Sequence, residues 1–366
     1  MSRNPLRAQL QTLAILGATL SVPGPSAFGR RSRRPTLREA LVAGTGTTVV
    51  LPAGRPPWPA LVFMNGATPD GRRHPTVHRL SLALARAGVC VFIPELDGIA
   101  GGELSPGTLA QSVAVSEAAS AAPETADGLV ALVGVSVGGT LALLTAADPR
   151  LRERISVVAC VAPFGDLAEV MRIATTGTYR DGERVGHHAA PPYLRVGLAR
   201  SLAATLDPTP ETADLCRALR AIDHASNGPI ELPQHAFYRA GSEAERLYAL
   251  LANTDSDRFD GLFAELPAHV RAAVGTLSPI HTARRLHAPV EIVTAPQDTY
   301  FPVAEARALA AASPWVRVTV TSLMAHATPR LAARNLKELY RLYTFYIRAL
   351  RAVRYGPSLH STVEQT

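Results

Sequence analysis

The sequence predicts an α/β fold: a mostly parallel, doubly wound sheet interrupted by a helical insertion. Three observations predict it. Short apolar runs alternate with helix-period segments along most of the chain. Those runs are continuously apolar rather than alternating, as parallel strands covered on both faces require. One long segment, residues 166–287, lacks any such run and carries only helical patterns.

The strands follow in order. Thr47 to Leu51 is the first, and Ala60 to Asn65 (ALVFMN) the second, closed by Gly66. Val89 to Ile93 ends at Pro94, which cannot donate to a ladder. Gly128 to Val135, Ile155 to Val161, Val290 to Thr294 and Val316 to Thr321 complete the set. Helical spacing fills the intervals: Thr76 to Ala87, Leu109 to Ala122, Val137 to Ala147, Pro302 to Ala312 and a long amphipathic stretch from Pro329 to Tyr355. Within the insertion the helical patterns are Tyr193 to Leu206, Pro210 to Ala225, Gly241 to Asn253 and Pro267 to Val274. The expected organisation is a leader over residues 1–40, flexible or weakly amphipathic, a core over 41–165 and 288–356, and an insertion over 166–287.

Composition narrows the function. With 47% hydrophobic and 18% charged residues in 366, the chain can bury a sizeable core and is not disordered as a whole. Its net charge of +7 rests almost wholly on arginine, since Lys337 is the sole lysine. The arginines are dispersed apart from Arg30, Arg31, Arg33 and Arg34, and no recognition motif accompanies them, so nucleic acid is not an expected partner. The three cysteines, Cys90, Cys160 and Cys216, form no C-x-x-C pair and imply no disulfide framework. No Cys/His cluster has ligand spacing, so no metal and no cofactor are expected. In the leader, Arg3 and Arg7 precede an apolar stretch from Leu13 to Val22, too short to span a bilayer. It has the outline of a signal peptide with a poor cleavage site. Cytoplasmic residence is the expectation, with export or membrane association through the leader as the alternative.

The chemistry concentrates at Gly134-Val135-Ser136-Val137-Gly138, between an apolar strand and a helix. This is the G-x-S-x-G nucleophile elbow. A serine on so sharp a turn projects its hydroxyl above the sheet, and small flanking residues let the turn close. No Lys-Ser/Thr follows, which excludes a Walker A loop, and the G-x-G-x-x-G fingerprint is absent.

From Thr47 to Tyr355 the chain resembles the α/β-hydrolase superfamily, whose triad runs Ser, Asp or Glu, His in chain order. The resemblance implies an α/β-hydrolase fold in which the 166–287 insertion is a helical cap. Ser136 takes the nucleophile's place. Asp298, after the sixth strand in VEIVTAPQDTYFP, takes the acid's. His326, after the seventh strand in VRVTVTSLMAHATP, takes the base's. Asp166, in APFGD after the fifth strand, is the alternative acid; its position also suits a helix N-cap. The oxyanion hole is implied at the backbone N–H groups of Val137 and Ala67, although this chain has Asn65-Gly66 where many relatives have His-Gly. The implied activity is a serine hydrolase acting on a small-molecule ester or acyl substrate. A carboxylic-ester hydrolase comes first; thioesterase, amidase or peptidase and acyltransferase chemistry on the same triad, or a non-catalytic binding protein, are the alternatives. Tyr179, His187, His188, Tyr193 and Phe237 are candidates for lining the cap.

Overall fold

The computed structural model describes residues 5–19, 34–222, 239–329 and 335–356. Helix α1 (Pro5–Thr19) precedes an antiparallel pair, β1 (Thr36–Val42) and β2 (Thr45–Leu51). Then come β3 (Trp58–Met64), α2 (Pro75–Arg86), β4 (Cys90–Pro94), α3 (Pro106–Ser120), β5 (Thr125–Val135), α4 (Val137–Ala146) and β6 (Ile155–Val161). The insertion comprises α5 (Leu167–Thr176), β7 (Thr178–Asp181), β8 (Arg184–His187), α6 (Pro192–Ala203), α7 (Pro210–Ala221), α8 (Glu243–Ala252), α9 (Ser256–Glu265) and α10 (Ala268–Thr276). The chain returns through β9 (Val290–Thr294), α11 (Val303–Ala312), β10 (Val316–Val320), the short pair β11 (Met324–Ala325) and β12 (Thr328–Pro329), and α12 (Leu336–Tyr355).

Among the described residues the main sheet has eight strands in the order β1-β2-β4-β3-β5-β6-β9-β10. It is parallel from β4 to β10, and β2 pairs antiparallel with β4. Alternation along each strand divides the core. On β3, Ala60, Val62 and Met64 face one layer, and Leu61 and Phe63 the other. Helices α3, α4 and α11 cover the first face; α2 and α12 cover the second, with α1 laid across them. A parallel sheet buried on both faces is what the continuous apolar runs predict, and every β-run named from the sequence is a strand of it.

Four expectations need correction. The 1–40 segment is not simply a flexible leader. Ile15 and Leu16 of α1 are 2% and 4% exposed, and residues 36–40 belong to β1. β1 was invisible as a strand because its sequence, TLREALV, is charged and lies at an exposed sheet edge. The insertion does contain strands: β7 and β8 form a small antiparallel hairpin, too polar and exposed to leave an apolar run. The last helix begins at Leu336 rather than Pro329, and residues 330–334 lie outside those described. Helix α7 ends at Ala221, and the remainder of its expected span, 223–225, also lies outside them.

Candidate active site

The elbow forms as its glycines dictate. Ser136 sits between β5 and α4 at φ 54°, ψ −125°, a conformation that L-residues rarely adopt and that costs on the order of 1–3 kcal/mol. A Cβ at Gly134 would collide with the backbone of Gly138 and Gly139, and one at Gly138 with the carbonyls of Met64 and Asn65. Ser136 N–H donates to Val161 O at 2.8 Å, fastening the turn to the end of β6, and its carbonyl accepts from Gly139 and Thr140 as α4 begins.

His326 lies at the tip of the two-residue turn between β11 and β12, at φ 52°. Its Nε2 is 2.8 Å from Ser136 Oγ, and its Nδ1 is 2.9 and 3.0 Å from the two carboxylate oxygens of Asp298. Tyr300 packs on the imidazole with ring centres 4.4 Å apart, and Phe301 meets its edge at 5.6 Å. Asp298 Oδ1 accepts from the N–H groups of Tyr300 and Phe301 at 2.8 and 3.0 Å. Burial works to raise the Asp298 carboxyl. The His326 bond and charge, and the two backbone donors, outweigh it and hold the group below the ordinary carboxylate range. The structure thus brings Ser136, His326 and Asp298 into one hydrogen-bonded line.

Asp166 stands elsewhere. Its carboxylate accepts from Ala168 N–H at 2.9 Å at the start of α5, and Ser278 Oγ donates to it at 3.3 Å. Among the carboxylates named from the sequence, Asp298 and not Asp166 reaches the imidazole. Val137 and Ala67, the residues expected to supply oxyanion donors, both border the cleft that holds Ser136. The Ala67 turn is pressed onto the elbow: a Cβ at Gly66 would lie 3.0 Å from Val135 O and 3.4 Å from Ser136 Cβ. Asn65 is buried, with its amide donating to Gly66 O at 3.1 Å.

The cleft is narrow, with a volume of about 60 Å³. Phe164, Leu167 and Val170 form one wall, and Tyr193, Leu194, Gly197, Leu198 and Ser201 of α6 another. Of the aromatic and histidine candidates from the insertion, Tyr193 lines it. Tyr179 packs over Gly186 across the β7–β8 hairpin, His187 is exposed on β8, and His188 N–H closes onto Gly177 O at 2.8 Å. Phe237 lies outside the described residues. Sequence reasoning missed Tyr300, Phe301 and the α6 leucines. The first two were within the quoted Asp298 motif, where an aromatic pair two and three residues after the acid was the available signal.

Potential metal ligands lie apart from this cleft. Among the described residues, Asp207, Glu243 and His269 bring three ligand-type atoms within 4.8 Å of one another, and none of them lines the cleft. Among the described residues no helix is long and apolar enough to cross a membrane.

Sheet order, elbow and the placement of residues after β9 and β10 define the α/β-hydrolase fold. No protein-family model matches the sequence, and no curated protein sequence matches it. Solved structures share the fold. The acylaminoacyl peptidase of Pyrococcus horikoshii superposes with a TM-score of 0.51 at 10% identity, over 90% of this chain and 44% of that one. An acylaminoacyl peptidase in complex with a Z-Gly-Gly-Phe chloromethyl ketone gives 0.50 at 10% identity, over 87% and 41%. The 2,6-dihydroxy-pseudo-oxynicotine hydrolase gives 0.50 at 15%, over 88% and 70%. The chain therefore spans less than half the length of those acylaminoacyl peptidases. At these identities the likeness is one of fold.

Proposed function

We propose that this protein is a serine hydrolase, a carboxylic-ester hydrolase that works through an acyl-enzyme on Ser136. The observation that carries the proposal is the continuous line from Ser136 Oγ through His326 to Asp298. A free serine hydroxyl is a weak nucleophile. As Oγ attacks the acyl carbon, His326 Nε2 takes its proton, and the paired Asp298 stabilises the imidazolium and fixes the tautomer. The tetrahedral oxyanion is held by the N–H groups of Val137 and Ala67. His326 then protonates the departing alkoxide, leaving an ester on Ser136. Water attacks that ester with His326 as base, the carboxylic acid leaves, and Oγ regains its proton.

Residues 166–287 act as a cap on a core of 41–165 and 288–356; side chains of α5 and α6 over the cleft support this division. The substrate is a small molecule; in support, the cleft walls offer no charged side chain among the described residues to hold a peptide terminus.

The test is labelling by a fluorophosphonate probe together with turnover of p-nitrophenyl esters. Wild-type protein should be labelled and should hydrolyse the esters; Ser136→Ala should do neither while unfolding at the same temperature. Folded wild-type protein that resists the probe would remove the catalytic assignment. Turnover of thioesters or amides alone would remove the ester assignment.

A further inference from the structure

Among the described residues, every side chain on the cleft wall is uncharged. The hydroxyls of its α6 wall are engaged within the protein. Ser201 Oγ donates to Gly197 O at 2.8 Å and accepts from Leu104 N–H at 2.9 Å, and Tyr193 donates to Gly101 O at 2.5 Å. The two arginines of α6 spend their guanidinium groups on backbone carbonyls, Arg195 on those of Ala174 and Thr175 and Arg200 on those of Leu219, Ile222 and Gly101. The site's own charge is the buried Asp298 carboxylate, which His326 occupies. These same bonds pin α6 to the 101–104 loop, so the wall is held at a set distance from Ser136.

We propose that the site selects an acyl group without charge, and that Leu194 on α6 is the specificity-determining residue. This rests on the reading of Ser136 as nucleophile. A carboxylate or ammonium on the acyl chain would leave water for a wall that offers no counter-ion among the described residues, which is strongly unfavourable. The acyl group remains on Ser136 through both chemical steps, so exclusion at this wall acts on each of them. Leu194 is half-buried, so a longer polar side chain can be accommodated there without filling the core.

The experiment compares kcat/KM for p-nitrophenyl hexanoate, the mono-p-nitrophenyl ester of adipic acid and p-nitrophenyl 6-aminohexanoate. The three acyl chains are matched in length and differ in terminal charge. Wild-type enzyme should prefer the hexanoate by at least about 100-fold over either charged ester. Leu194→Arg should raise the adipate-to-hexanoate ratio by about tenfold or more and leave the aminohexanoate disfavoured. A wild-type preference below about tenfold overturns the proposal, and that measurement needs no variant. So does a folded Leu194→Arg protein with an unchanged adipate ratio. Fluorophosphonate labelling separates the two levels: a labelled enzyme indifferent to acyl charge defeats this inference alone, whereas an unlabelled one defeats the catalytic reading beneath it.

Discussion

At Asp298 two opposing effects meet. Its side chain is fully buried, which penalises the charged form, yet it faces His326 and two backbone N–H donors that favour it. The second effect wins, and the carboxyl lies below its ordinary range. A folded-state pKa below the unfolded one adds stability that is fully present above the ordinary carboxylate range. It is lost as pH falls through the depressed value. Asp298→Asn should therefore flatten the loss of stability below about pH 4, measured by denaturant unfolding across pH. It should also lower kcat on an aryl ester by roughly 10³–10⁴-fold, because an amide cannot hold the productive tautomer or offset the imidazolium. Activity within tenfold of wild type would mean that another group orients His326.

Between elements, the joint where the insertion leaves the core depends on Glu305 of α11. Its Oε2 accepts from Gly165 N–H and Asp166 N–H at 2.8 and 2.9 Å, tying the loop after β6 to α11. Burial pushes the carboxyl up to about 7; the two N–H donors oppose this, while the neighbouring charges of Asp166 and Glu169 reinforce it. The native state thus keeps its proton where the unfolded chain has released it. Stability falls as pH rises from the ordinary carboxylate range to about 7 and is level above that. Glu305→Gln retains an acceptor for both N–H groups without the charge. It should match wild type near pH 4 and exceed it near pH 8, by up to roughly 3 kcal/mol. Urea unfolding at the two pH values measures this; equal shifts at both would show that the charge of Glu305 is not what its burial penalises.

Across the whole molecule, α1 joins distant parts of the chain. Ile15 and Leu16 are buried in the layer that holds α2 and α12. Thr19 Oγ1 accepts from Tyr346 Oη at 3.0 Å, and Gln11 donates to Ala87 O at 3.3 Å while accepting from Arg354 at 2.5 Å. Burial pushes the Tyr346 phenol up to about 12. A segment so engaged contributes to stability wherever it is retained. Ile15→Ala should cost about 2–4 kcal/mol in the purified full-length chain, read from the urea midpoint at constant m-value. An unchanged midpoint would return α1 to the role of a dispensable leader.

The sequence by itself determined the sheet and the elbow. Apolar runs of strand length record burial on two faces, and that burial is local to each strand. Gly134 and Gly138 flank Ser136 because neither position has room for a Cβ, so the elbow, too, was legible in five residues. In chain order Asp298 follows β9 and His326 follows β10. Tertiary structure alone decided which carboxylate meets the imidazole. Asp298 and Asp166 both follow strands, and only packing sends one to His326, 28 positions away, and the other to cap α5. It also decided which insertion helix faces Ser136, and that the apolar face of α1 packs inward. Such contacts join residues as far apart as the 190 positions between Ser136 and His326. The periodicity of one segment reports that a face is buried, but not against what.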